Sequence, residues 1–263
     1  MKFKDLFSHT FKAMTWQYGL NRPLWARRLS ARSCFCRAVI RNGLLTHRQM
    51  VHAALRYRLG RSRDDAVIYW QIDQLGQVHD GKLMWYGPDC HRLKNRNASW
   101  VMFLLKDHYA IPQDTFYPTH CFFGLHLLSP SVHGSEKTVA IVEAEKSAVI
   151  LSEIYPDYIW LATGGLGEIQ VNKFFPLRHH RVVLFPDTDP DGMAFTKWYN
   201  AAQDVMRSSF WPMNNPIRVS PILELHATED QKRRKIDLLD FICESLNAPA
   251  DKKSIASSRD TKT

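Results

Sequence analysis

Two kinds of hydrophobic patterning divide this chain. In the second half the apolar runs Thr138-Val139-Ala140-Ile141-Val142, Tyr158-Ile159-Trp160-Leu161-Ala162 and Arg181-Val182-Val183-Leu184-Phe185 do not alternate with polar residues. Strands covered on both faces of a parallel sheet read this way. A helical stretch over residues 146–154 separates the first two runs. The order β-α-β-α-β predicts a parallel sheet with right-handed crossovers. Earlier, strands at 66–72 and 82–86 flank the turn-rich Asp73-Gln74-Leu75-Gly76 and Asp80-Gly81, a pattern for a twisted hairpin or meander. Upstream, residues 3–14 and 23–40 read as short helices, and Thr46 caps a further helix to about Leu59, before Gly60. Downstream, 193–208 reads as a helix, and 217–219 and 222–225 as short strands broken by Pro216 and Pro221. The predicted class is α/β: a parallel sheet with flanking helices, preceded by a small helical and β-hairpin region.

Charge sharpens this division. Residues 1–63 hold fourteen Lys or Arg and one acid, Asp5, a local charge of +13; the whole chain carries +9, so the remainder is −4. Cationic side chains placed on phosphates release condensed counterions, so such an arm suits a polyanion. Eleven of the fourteen are Arg, and Phe3, Phe7, Phe11, Trp16, Tyr18, Trp25 and Phe35 lie among them as rings able to stack on unpaired bases. Single-stranded DNA or RNA is the expected partner, with Arg56, Arg58, Arg61 and Arg63 on the last helix of the arm and its exit. The chain then divides into a basic helical arm (1–63), a β-rich subdomain (64–135), a parallel-sheet domain (136–246) and a polar tail (247–263) that reads as disordered. His133-Gly134-Ser135 marks the main boundary.

Composition excludes some classes. No run approaches the ~18 apolar residues that span a bilayer, so no membrane partner is expected. The amino end has Lys2 and Lys4 but no apolar core after them, so a cytoplasmic protein is expected. The five cysteines form no disulfide framework and lack the paired Cys-x-x-Cys spacing of a zinc ribbon, which favours reduced thiols.

Candidate chemistry gathers at strand ends. In an open parallel sheet the functional crevice lies beyond the carboxyl ends of the strands, where Glu143, Asp187, Asp189 and the Gly164-Gly165 loop emerge. Asp187 and Asp189 are two apart, so in extended chain both leave on one side and can share a hard cation such as Mg²⁺ or Mn²⁺. Gly192 frees the turn into the next helix, and Asp191 reads as its cap.

These residues carry a resemblance. Val142-Glu143-Ala144-Glu145-Lys146-Ser147-Ala148 and, 44 residues after Glu143, Asp187-Thr188-Asp189-Pro190-Asp191-Gly192 resemble the toprim domain of DnaG-type primases, topoisomerases and OLD-type nucleases. From about Arg56 onward, Trp70-Gln71-Ile72-Asp73, Gly81-Lys82-Leu83-Met84 and Phe185-Pro186-Asp187 are similar to an uncharacterised bacterial family of primase-like toprim proteins found on mobile elements. The resemblance implies a toprim-like sheet over 136–246 and a primase-like subdomain over 64–135. It implies Glu143, Asp187 and Asp189 as catalytic acids, with Asp237 as a further acid at a Mg²⁺ or Mn²⁺ ion. It places Lys82, Arg92 and Lys94 near phosphates. The implied activity is nucleotidyl transfer on a single-stranded template, with nucleotides as substrates and a helicase or other mobile-element replication proteins as partners. A toprim nuclease uses the same acids. Ala144 and Ser147 stand where the wider family has Gly and Asp, and this leaves a catalytically decayed nucleic-acid-binding module as the competing reading.

Overall fold

The structure is a computed structural model and describes residues 30–109, 119–128 and 137–247. The helix expected at 3–14, the start of the one at 23–40, the boundary loop His133-Gly134-Ser135 and the tail after 247 lie outside the described residues.

Helix α1 (Cys34–Arg41) begins where the Ser33 hydroxyl accepts the Cys36 N–H. Helix α2 (His47–Arg56) begins with the full capping box of Thr46 and Gln49, which satisfies two otherwise orphaned donors. It stops short of Leu59 because Arg58 takes the left-handed backbone, φ 53°. Strand β1 (Gly60–Arg61) then pairs antiparallel with β2 (Val67–Ile72). The described part of the basic arm is therefore no free appendage. Phe35, Val39, Met50, Ala53 and Tyr57 from its helices sit in the same core as the parallel sheet.

Strands β1, β2, β3 (Val78–Met84) and β4 (Ser99–Trp100) form an antiparallel sheet in chain order. Asp80-Gly81, expected in a turn, lies inside β3. The glycine is there for packing: a Cβ on Gly81 would stand 2.7 Å from Trp70 Cε3, directly across the pair Trp70↔Gly81. Asp80 is fully buried; its Oδ1 accepts the N–H groups of Gly81 and Met102, and its Oδ2 lies 3.2 Å from His120 Nε2. Alternation splits the sheet's faces. Ile68, Trp70 and Leu83 pack with Val101 and Met102 of helix α3 (Val101–Tyr109) in a small separate core, while Val67, Tyr69 and Met84 face the main one.

The second sheet is parallel, in the order β6-β5-β7-β8, with β5 (Thr138–Val142) at its centre between β6 (Tyr158–Ala162) and β7 (Val182–Leu184). The register Val142↔Ala162 and Ile141↔Leu184 brings the carboxyl ends of all three to one edge. Helix α4 (Glu145–Ile154) connects β5 to β6, and helix α5 (Met193–Arg207) leads from β7 to the edge strand β8 (Arg218–Val219). The stretch 222–225, expected as a strand, is the short helix α6 (Ile222–His226), which starts at Pro221 and buries only Leu223. Helices α7 (Glu229–Arg234) and α8 (Leu238–Asn247) complete the described chain. Among the described residues no helix is long and apolar enough to cross a membrane.

Candidate functional site

The carboxyl edge of the parallel sheet faces the antiparallel sheet across a pocket of about 340 Å³. Glu143 follows β5, Gly164 and Gly165 follow β6, and Asp187 follows β7; all line the pocket, as does Asp237 from the turn before α8. The opposite wall carries Lys82 of β3 with His91 and Arg92 from the loop after it. Two sheets of different construction thus supply acids and bases to one space.

Asp187 is the least satisfied of the acids. Its Oδ1 is shielded from solvent and has no hydrogen-bond partner. Burial first, then the neighbouring charges of Asp237, Glu143 and Asp240, push its carboxyl well above the usual range. Glu143 is likewise pushed up by burial, against the Leu166 N–H and the Lys82 ammonium, which favour its charged form. Asp237 is held at both oxygens: Oδ2 accepts from the buried Ser147 hydroxyl, and Oδ1 caps α8 through the Asp240 N–H at 2.8 Å. Asp237 thus caps α8 and lines the pocket at once.

Asp189 departs from the expected sharing of a cation with Asp187. It is not among the residues lining the pocket. Its Oδ1 accepts the N–H groups of Asp191 (3.0 Å) and Met193 (3.1 Å), and its Oδ2 that of Ala194 (2.7 Å). Burial raises its proton affinity, but these backbone donors outweigh it and hold the carboxyl below the usual range. The chain leaves the extended form at Asp189-Pro190, so the parity that puts both acids on one side does not hold there. Asp189 fills the capping role read for Asp191, which is exposed.

The basic residues separate in the same way. Lys82 Nζ lies 3.0 Å from Glu145 Oε1 and donates to the Gly164 carbonyl at 2.7 Å, joining the two sheets. Gly164 is required here: its φ is +88° and a Cβ would stand 3.0 Å from Glu145 Oε1. Arg92 is exposed at the pocket's rim. Arg61 is tied to Asp65 at 2.7 Å, Arg58 is held below its usual pKa by burial, and Arg56, Arg58, Arg63 and Lys94 do not line the pocket. Sequence reasoning gave no role to Glu145, Lys146 or His91. The first two stand inside the quoted Glu-Ala-Glu-Lys motif, and that adjacency was the available signal.

Among the described residues no three His, Cys, Asp or Glu side chains stand together as a ready metal cage. The donor set nevertheless fits a divalent cation: hard carboxylate oxygens, one of them buried and unpartnered, repel one another across the pocket. All five cysteines are free, and Cys36, Cys90 and Cys121 are buried.

A family model described as a domain of unknown function (DUF6371) matches residues 35–188. No curated protein matches the chain. Among solved structures, the crystal structure of the primase fragment of the bacteriophage T7 primase-helicase protein is similar at 14% identity, covering 70% of each chain with a TM-score of 0.42. A structure of bacteriophage T7 lagging-strand DNA polymerase, interacting with primase domains bound to an RNA/DNA hybrid and dTTP, is similar at 13% identity. That match covers 66% of this chain and 78% of the other, with a TM-score of 0.37.

Proposed function

Since the chain belongs to the DUF6371 family, a domain of unknown function, its activity is read from its own site, and we propose a primase-like toprim protein that performs metal-dependent nucleotidyl transfer on a single-stranded template. The observation that carries this is the strand-end Asp187, with an unpartnered buried oxygen, in one pocket with Glu143, Asp237 and the cations of the facing sheet.

Asp187, Glu143 and Asp237 would hold Mg²⁺ or Mn²⁺. Such an ion, when bound, neutralises charge on the attacking and leaving oxygens of phosphoryl transfer. The chain's own residues do the rest. Glu143, whose proton affinity is raised by burial, lines the pocket and is placed to take the proton of an attacking hydroxyl. Lys82, held by both Glu145 oxygens and by the Gly164 carbonyl, fixes the facing sheet and its positive charge against the acids. Arg92 offers a planar fork at the rim. Asp189 acts from outside the pocket by holding the turn that aims Asp187. The partners of this reading are nucleotides and single-stranded DNA or RNA, with a helicase or mobile-element replication proteins beyond them.

The test is incorporation of labelled nucleotides on a single-stranded template with Mn²⁺, for the wild type and Asp187→Asn. Extension by the wild type and a loss of at least about 100-fold in the variant are expected. Cleavage of the template without extension would give the nuclease instead. Nucleic-acid binding with no turnover, unchanged by Asp187→Asn, would leave a binding module.

A further inference from the structure

Lys146, in the first turn of α4, turns into the acidic pocket instead of out to solvent. Its side chain is 14% exposed and lines the pocket beside Glu143, Asp187 and Asp237, with Asp240 Oδ1 3.8 Å from its ammonium. A lysine normally extends its head into water, so a nearly covered ammonium needs anions to hold it. Burial works against its charge, yet Asp237 and Asp240 outweigh burial and keep the ammonium above the usual lysine range. Its neighbour Ser147 meets Asp237 with a neutral hydroxyl where another acid would add charge. The other lysine of the pocket, Lys82, is neutralised by Glu145. Lys146 is thus the positive charge that belongs to the acid cluster itself.

We propose that Lys146 is the resident cation of this site, standing where the carboxylates would otherwise gather a second divalent ion, so that the pocket takes up one divalent cation and not two. The inference rests on the reading of the pocket as a cation site and adds a stoichiometry to it. An ammonium fixed among carboxylates offsets the charge that would draw a second divalent ion, whereas its removal leaves Asp240 without its lysine partner.

Calorimetric titration of the full chain with Mn²⁺ tests this. One ion per wild-type chain is expected, and Lys146→Gln should either accept a second ion or bind the first at least about tenfold more tightly, since a like charge has been removed nearby. Lys146→Arg, which keeps the charge, should retain the wild-type stoichiometry. Two ions on the wild type, or equal stoichiometry and affinity in wild type and Lys146→Gln, would overturn the proposal. If Lys146→Gln does not fold, electron paramagnetic resonance of the wild type in excess Mn²⁺ decides: an uncoupled single-ion signal supports it, and the coupled signal of two adjacent ions overturns it. Mn²⁺ uptake by Lys146→Gln but not by the wild type would overturn the one-ion stoichiometry and the proposed metal-dependent activity together. Uptake by neither would remove both.

Discussion

The two sheets arrive at the pocket by different means. The parallel sheet supplies acids through topology: three adjacent strands run the same way, so whatever follows each one emerges at the same edge. The antiparallel sheet has no such edge. It supplies Lys82 through the face of β3, and His91 and Arg92 through the loop beyond. The acids can therefore be listed by finding strand ends, whereas the bases depend on which face a strand presents and on how the two halves are clamped. The two sheets share the main core, and polar contacts add to it: Lys82 to Glu145 and Gly164, and the Tyr57 hydroxyl from the arm to the Trp160 carbonyl at 2.8 Å.

The strongest way to break this arrangement is to remove one side of the clamp. Lys82 and Glu145 have side chains only 11% and 4% exposed, so Lys82→Met leaves an uncompensated buried carboxylate and should cost about 3–5 kcal/mol in chemical denaturation. Adding Glu145→Gln should recover most of that loss; an unchanged midpoint in the single variant would show that the sheets do not depend on this pair.

His126, whose Nε2 meets the Arg56 carbonyl at 3.0 Å, gives a test by pH. Burial, opposed by its bond to the Arg56 carbonyl, lowers its pKa from 6.5 to about 4. The unfolded chain therefore takes up a proton between these values that the folded chain refuses. Its contribution is intact above about pH 6.5 and is lost as pH falls toward 4, at roughly 1.4 kcal/mol per pH unit within that window. Melting temperature followed over this range should fall less steeply for His126→Gln than for the wild type.

On the acid side, Asp189→Ala removes the acceptor of three backbone N–H groups at the head of α5 and should destabilise by about 1–2 kcal/mol. Mn²⁺ affinity should suffer far less than in Asp187→Asn. If the two variants lose the ion equally, Asp189 turns toward it on binding. The smallest effect is expected for Asp191→Asn, within about 0.5 kcal/mol by melting and without change in Mn²⁺ uptake, because its side chain is exposed and caps nothing.

The contrast between the sheets also explains what could be read from the sequence. The three parallel strands were legible as unbroken apolar runs, and the positions of Glu143 and Asp187 followed from the ends of two of them. Asp189 was misplaced because period-two reasoning was carried past the strand into a turn. Asp80-Gly81 looked like a turn, since nothing local says that a tryptophan lies across that glycine. The stretch 222–225 has the composition of a strand but too little sheet edge to join. Glu145 and Lys146 were given no role; their burial is a property of the opposing sheet and of α8, both distant in the chain. The expectations that rest on residues 1–29 fall outside the described residues.

Gly81 carries a consequence for inheritance of the site as a whole. Side chains on β3 alternate, and Lys82 stands opposite Tyr69 on the main-core face only because Gly81 stands opposite Trp70 on the other. A slip of one residue would send the ammonium to the far side of the sheet and present a leucine to the acids. The bare Cα beneath the indole admits one alignment and rejects its neighbours. A position with no functional group of its own thus acts as the keyway that decides whether the two halves meet as opposite charges.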